Sequence, residues 1–135
     1  MNQQNPLEQV VRDFLQMVQT RTSSTELNQF YHPEAEQIEY PNAITKNTVI
    51  RTLKDLQDAS ERGKKVLQQE EYEIRNLHTI GETVILEAIW IGTLAIPLGN
   101  IHIGGQMKAY FAQFFDFKDG KIFRQRNYDC FEPFS

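Results

Sequence analysis

The sequence has a single cysteine, Cys130, and no long apolar run. One cysteine excludes an internal disulfide and a thiolate zinc cluster. No segment approaches the roughly 18 apolar residues of a membrane span, and the N-terminus lacks the basic and apolar regions of a secretory signal. Lysine and arginine number 14 against 18 acidic residues, and this net charge of −4 argues against nucleic-acid binding. We therefore expect a cytoplasmic protein without membrane or nucleic-acid partners.

Motifs for phosphates, dinucleotides and serine nucleophiles are also missing. His78 and His102 lie far apart, without the spacing of metal ligands. These absences predict that the protein uses no metal and no other cofactor. With 135 residues, 40% of them hydrophobic, the chain is long enough for one packed core, and we expect a single domain over 1–135.

The first segment has the apolar spacing of a helix that packs against another layer. Asn5 is suited to cap the helix and Pro6 to occupy its first position. The apolar residues then recur every three or four positions: Leu7, Val10, Val11, Phe14, Leu15 and Val18.

A second, shorter helix follows in the predicted order. Ser23 and Glu26 have the spacing of a capping box and predict a helix to about Tyr31. Pro33 is expected to end it, since the residue before a proline avoids the helical conformation.

The next elements are a short strand over 34–40 and a third helix over 45–62. The helix is predicted from the spacing of its apolar residues, which are Val49, Ile50, Leu53, Leu56 and Ala59. Gly63 is placed to close it in a left-handed cap.

The second half of the chain changes to strand-like patterns, which predict strands over 68–77, 82–94, 106–117 and 121–131. Asp119-Gly120 is the strongest hairpin signal. Helices that precede strands indicate an α+β protein, and short connections indicate an antiparallel sheet. Strands this long must twist and curl. We expect a cone-shaped, curved antiparallel sheet covered by three N-terminal helices, with a pocket inside.

This order of elements resembles the nuclear transport factor 2-like superfamily, and within it the SnoaL-like and ketosteroid isomerase-like branch. The resemblance is carried by FYHPEAEQIEYP at 30–41, IWIGTL at 89–94 and FFDFKDGKIFRQRNYDCF at 114–131. It covers nearly the whole chain. The fold hosts enzymes, binding subunits and interaction modules, so it leaves the function open.

Asp129 is the first candidate catalytic residue. SnoaL-like cyclases use an aspartate in this segment as acid and base, which implies that role here. A carboxylate in an apolar pocket has its charged form disfavoured, and its pKa rises toward working pH. Alternation puts Asn127 and Asp129 on one face of the last strand and Arg126 and Tyr128 on the other. The alternative is a structural aspartate that accepts a hydrogen bond from a loop amide.

Glu39 is the second candidate, because ketosteroid isomerases carry their base in the similar segment. A shift of one residue would put Tyr40 there instead. Alternation sends these two side chains to opposite faces, so only one can line the pocket. The alternative for Glu39 is a solvent-facing position on an edge strand.

Gln113 falls where an isomerase-like alignment places the acid of the oxyanion hole, and Gln can donate a hydrogen bond there. Phe14 falls where those isomerases have a tyrosine on the first helix. Phe has no hydroxyl, so we reject true ketosteroid isomerase activity.

Aromatic residues are the candidates for the pocket walls. Trp90, Phe111 and Phe115 would shape a pocket for a flat, apolar ligand, although Trp90 equally suits core or interface packing. His32 would stand at the pocket mouth, or be an exposed loop histidine. Cys130 faces away from Asp129 by alternation and is expected to be a buried structural thiol.

Two functions stay open at this point. The first is a cofactor-independent isomerase or cyclase that transfers a proton on a small apolar carbonyl or cyclic substrate. The second is a non-catalytic member that binds a ligand or supports a dimer. In either case we expect a homodimer that pairs through the uncovered sheet face, because that face would otherwise expose a large apolar patch.

Overall fold

The structure is a computed structural model that describes residues 5–20 and 23–134. Its elements are, in order, α1 (Pro6–Thr20), a 3₁₀ helix (Ser24–Gln29), β1 (Tyr31–Glu39), β2 (Val49–Thr52), α2 (Leu53–Val66), β3 (Leu67–Ile80), β4 (Thr83–Leu94), β5 (Gln106–Lys118) and β6 (Lys121–Phe131). The architecture is α+β, as expected. Within the described ranges, no helix is long and apolar enough to cross a membrane.

The six strands form one mixed sheet in the order β2-β1-β6-β5-β4-β3. Strands β1 and β6 pair in parallel, and the other neighbouring strands pair antiparallel. The sheet is thus mostly antiparallel, as expected from the short connections. Its parallel pair is formed by β1 and β6, which are joined through the rest of the sheet and are free to run in the same direction.

Helix α1 forms as the apolar spacing predicts. The Asn5 side chain accepts a hydrogen bond from the Leu7 amide at 2.9 Å and caps the helix. Val11, Phe14 and Leu15 are buried, and the helix packs on β3 and β4. The burial of an apolar stripe, and not helix propensity alone, holds this helix in place.

The second predicted helix is shorter than expected. It is a 3₁₀ helix that Ser23 caps by accepting a hydrogen bond from the Thr25 amide. Pro33 does not end it, because β1 already begins at Tyr31. The pairing of β1 with β6 changes register between Tyr31 and Glu36, and such an irregular stretch of a strand tolerates a proline.

The third predicted helix begins later than its apolar spacing indicated. Val49–Thr52 is strand β2, and α2 starts at Leu53 behind a capping box of Thr52 and Asp55. Gly63 lies inside α2 and is not its cap. Val49 and Ile50 fit the apolar spacing of a helix, although they belong to a strand. Short apolar segments allow this ambiguity.

The sheet in the second half confirms most of the predicted strands. Asp119 and Gly120 have φ values of 54° and 75° and form the tight turn between β5 and β6. Strand β6 has the predicted bounds, while β3 extends from Leu67 to Ile80. Cys130 is exposed, so its interpretation as a buried thiol is wrong.

Candidate functional site

One face of the sheet carries a row of buried polar side chains. We call it the inner face, because Phe115 on this face of β5 contacts Phe14 of α1. The strand register places Asn127 opposite both Glu39 and Gln113. The buried amides of this face are Gln37, Gln113, Gln125 and Asn127. Buried polar groups are costly unless they are hydrogen-bonded, so their partners define what this region does.

Asp129 continues this row at the end of β6. Its Oδ1 accepts a hydrogen bond from Gln113 Nε2 at 3.3 Å. Burial raises the pKa of Asp129 to about 7, the Gln113 hydrogen bond opposes the rise, and the charge of Glu39 adds to it. Asp129 is therefore a carboxyl group that exchanges its proton near neutral pH.

Glu39 is held in place through both of its oxygens. Arg51 Nη1 lies 2.6 Å from Oε1, and Asn42 Nδ2 lies 2.8 Å from Oε2. The Glu39 and Arg51 side chains are only 15% and 18% exposed. Paired in this way, Glu39 is a fixed negative charge on the strand beside Asp129.

A second set of hydrogen bonds orients the buried side-chain amides of β6 on the inner face. The Tyr31 hydroxyl donates to Gln125 Oε1, and Gln125 Nε2 donates to Asn127 Oδ1 at 2.9 Å. Burial raises the pKa of Tyr31, against an opposing hydrogen bond with Gln37. Tyr31 therefore stays a neutral donor that sets the orientation of these amides.

A pocket of about 350 Å³ lies between the helices and the inner face. This is near the small end of ligand pockets, which run from roughly 300 to 1,000 Å³. The helical side of its wall is mostly apolar and includes Phe14, Met17, Val18, Leu27, Leu56 and Ala59. The sheet side is mostly polar and includes Tyr31, Gln37, Glu39, Arg51, Glu70 and Tyr72. The pocket therefore suits an amphipathic molecule.

Of the two predicted carboxylates, Glu39 lines this pocket and Asp129 is not among its lining residues. Gln113 contacts Asp129 and is likewise outside the lining. Both lie on the inner face, and Glu39 connects them to the pocket through its charge on Asp129. The structure thus brings Glu39, Gln113 and Asp129 together on the inner face, where Glu39 lines the pocket and the other two do not.

The predicted aromatic walls are not pocket walls. Trp90 stacks on Phe111 with ring centroids 5.7 Å apart, and Phe131 packs edge-on against both rings. With Leu94 and Met107 these residues form what we call the aromatic cluster. Trp90 Nε1 donates to Glu70 at 2.9 Å. Phe115 is a fully buried core residue. These side chains pack against other core residues and do not line the pocket described above.

Two other predicted binding residues lie on the opposite, outer face of the sheet. Tyr40 stacks on Tyr128 with ring centroids 4.7 Å apart. His32 is part of β1, packs edge-on against Phe123 and accepts a hydrogen bond from the Glu34 amide. The alternation of the strand, which left open whether Glu39 or Tyr40 lines the pocket, is resolved in favour of Glu39.

Sequence reasoning missed Arg51, which lies on β2 opposite Gln37. Its segment was interpreted as part of a helix, and a helical register would not have paired it with Glu39. If β2 had been recognised as a strand, its alternation would have put Arg51 on the same face of the sheet as Glu39. Among the described residues, no group of three histidine, cysteine or acidic side chains is arranged to hold a metal.

No protein-family model matches the sequence, and no curated protein matches it. Solved structures do match. The chain is similar to IdmH from Streptomyces antibioticus at 12% identity with a TM-score of 0.77, covering 93% of this chain and 92% of that one. A SnoaL-like polyketide cyclase from Agrobacterium tumefaciens matches at 14% identity and 0.70, with 93% and 92% coverage. The fold is that of the SnoaL-like proteins.

The SnoaL-like fold is shared with proteins of other names. An LEH-like epoxide hydrolase from M. tuberculosis matches at 16% identity with a TM-score of 0.67, covering 94% of this chain and 83% of that one. Because the identities are this low, the likeness concerns the fold, and the chemistry must be argued from the side chains.

Proposed function

We propose that this SnoaL-like chain binds a small carbonyl or cyclic molecule and moves a proton on it, with Asp129 as the acid and base. The observation that carries the proposal is the partly buried Asp129 carboxyl, which has a pKa of about 7 and lies near the ion-paired carboxylate of Glu39. A proton-transfer group works best when its pKa is near the operating pH. Two carboxylates with unequal surroundings often divide the work in this way.

The proposed reaction needs no external oxidant or reductant. The ionised Asp129 takes a proton from the carbon next to a carbonyl, and the C–H electron pair becomes the carbon–carbon double bond of an enolate while the carbonyl electrons move to oxygen. Asp129 then returns the proton to a carbon of the same molecule. Glu39 disfavours the ionised form of Asp129 and so makes it a stronger base.

The length of the strands supports the proposal. Four strands, β3 to β6, are 11 to 14 residues long, and strands of that length twist. We propose that they curve into a cone whose inner face carries both Asp129 and Glu39.

The experiment measures proton exchange directly. The protein is incubated with α-tetralone, a two-ring ketone, in D₂O, and loss of the proton signal next to the carbonyl is followed by NMR. We expect the catalysed rate to rise through about pH 7, as Asp129 ionises. Asp129→Asn should abolish catalysed exchange, while Asp116→Asn, an outer-face control, should retain it. Exchange that survives in the Asp129→Asn variant would refute the acid–base role.

A second candidate function is ligand binding without catalysis. It is favoured by the lining of the pocket, which does not include Asp129, and by Phe14, which offers no hydroxyl. Under this alternative α-tetralone binds and shifts amide signals around the pocket, but its protons exchange no faster than in buffer.

Pairing of two copies through the outer face is also part of the proposal. Ile50, Tyr110 and Tyr128 are exposed on this face, and covering such a patch is the usual reason for two-fold association. Sedimentation should give twice the chain mass of 15.8 kDa. Tyr128→Lys should favour the monomer, whereas Ile103→Lys, in the turn before β5, should not. A wild-type monomer at micromolar concentration would contradict this.

A cytoplasmic location stays a prediction.

A further inference from the structure

Arg51 makes its described hydrogen bonds through only one of its nitrogens. Nη1 donates to Glu39 Oε1 at 2.6 Å and to Gln37 Oε1 at 3.4 Å. A guanidinium has five N–H donors, and those two bonds use the pair on Nη1. None of the hydrogen bonds found within residues 5–20 and 23–134 uses Nε or Nη2 of Arg51.

These remaining donors are not sealed in the protein core. The side chain of Arg51 is 18% exposed, and Arg51 lines the main pocket. It also lines a groove of about 340 Å³ on the other side, between β2 and α2. Over the described residues, the buried polar atom without a partner is Thr45 Oγ1, so Nε and Nη2 are not sealed in the core.

We propose that Arg51 is the residue through which the pocket recognises its ligand, with Nε and Nη2 donating to a carbonyl oxygen. This rests on the proposed function, since it assumes that the pocket binds a carbonyl compound. Arg51 donates and cannot accept, so the ligand atom must be an acceptor.

The charges favour a neutral ligand over an anion. Glu39 already neutralises Arg51 at 2.6 Å, and a carboxylate ligand would be placed beside Glu39 as a like charge. A ketone meets no such repulsion. When Asp129 takes its proton, the negative charge develops on the carbonyl oxygen, where the Arg51 donors would stabilise it. Arg51 would then supply the donation that Phe14 cannot.

The test compares two ligands of the same shape that differ in the oxygen, α-tetralone and tetralin, by NMR titration of the protein. The quantity measured is the ratio of their affinities, because apolar contacts contribute to both ligands alike. Loss of a hydrogen bond from a charged donor costs roughly tenfold or more in affinity. We expect the ratio to fall about tenfold when Arg51 is removed.

The variants are chosen so that folding does not decide the outcome. Arg51→Met removes every N–H donor of this side chain but leaves the mostly buried Glu39 without its partner, so the double variant Glu39→Gln with Arg51→Met is also made to keep the pair neutral. Arg62→Gln is the matched control, because Arg62 lines only the outer groove. Asp129→Asn should retain the ketone preference while losing proton exchange.

The results separate this inference from the proposed function. An unchanged affinity ratio in the double variant, with both ligands still bound, overturns the role of Arg51 and leaves the proton transfer intact. Failure of wild type to bind either ligand overturns both. Loss of the preference in the Arg62→Gln control would also overturn the inference, since the effect would then reflect net charge alone.

Discussion

The aromatic cluster and the pocket are two regions of one protein fold with opposite contents. In the aromatic cluster, Trp90, Phe111 and Phe131 meet ring against ring and fill the space between the sheet and its covering segments. At the pocket, β1 and β2 instead present Glu39 and Arg51 toward about 350 Å³ of open volume. A core that serves only stability is filled by apolar side chains. The polar region is therefore where function is to be sought.

The largest expected effect comes from Phe14, which joins the helices to the sheet. Its ring packs edge-on against Phe30, Tyr31 and Phe115. Phe14→Asp would bury an unpaired charge and should cost about 4 kcal/mol or more, enough to unfold the protein. Circular dichroism and urea denaturation would measure it. Gln16→Asp, at an exposed position of the same helix, should stay folded. A folded Phe14→Asp variant would mean that the helix register is wrong.

The second effect is a pH dependence of stability that arises from Asp129. Its pKa is 3.8 when unperturbed and about 7 in the folded chain. Between these values the unfolded chain loses the proton and the folded chain keeps it. The free energy of unfolding therefore falls as pH rises from about 4 to about 7, and it levels off above that. The total is on the order of 4 kcal/mol.

Asp129→Asn should remove this slope, so the variant gains stability relative to wild type as pH rises. Urea denaturation at pH 4.5, 6 and 8 would measure the difference. Asp116 on the outer face should give a pH dependence of stability of the opposite sign. Burial acts to raise its pKa, but the bonds from Arg126 and Thr83 outweigh that and lower it, so its contribution is lost as pH falls. Parallel pH curves for wild type and the Asp129→Asn variant would contradict the proposed burial of this carboxyl.

The sequence predicted the side-chain directions of β6 because strand alternation is a local rule. Asn127 and Asp129 do share the inner face, and Tyr128 is exposed on the other. It also predicted α1, whose stripe is long enough to define a period. It could not predict that Trp90 packs against Phe111 and not against a ligand, since that contact depends on the register between β4 and β5, which the sequence does not give.

The site itself was predictable only in part. Asp129 came from the resemblance and Glu39 from a loose match in the same family. Arg51, the partner of Glu39, could be identified only from the pairing of β2 with β1, and β2 is a four-residue strand whose sequence resembled a helix. Short strands are held by tertiary pairing and carry little sequence signal of their own. The ion pair that fixes Glu39 was therefore not visible without the sheet.

A smaller effect is expected where the aromatic cluster is made tighter. A methyl group added at Gly92 would lie 2.5 Å from Trp90 Cη2 and 3.0 Å from Leu67 Cδ2. Gly92→Ala must therefore displace the indole ring, and overpacking of this kind costs about 1–3 kcal/mol. Thermal unfolding would measure it, and the near-ultraviolet circular dichroism of Trp90 should change as well. A Gly92→Ala variant with the same thermal stability as wild type would show that the aromatic cluster has room for another methyl group.

The smallest effect on stability is expected where bulk is added to the pocket. Ala59 lies on α2 in the pocket wall, and its position faces open volume, in contrast to Gly92. Ala59→Leu should leave the free energy of unfolding within about 1 kcal/mol of wild type, because the added methyl groups enter a space that no side chain occupies. The same variant should lose α-tetralone binding, since its isobutyl group takes the place of the ligand. Thermal unfolding and NMR titration would be measured on one sample. Destabilisation by Ala59→Leu as large as that by Gly92→Ala would mean that the pocket is as tightly filled as the aromatic cluster, and the contrast between the two regions would fail.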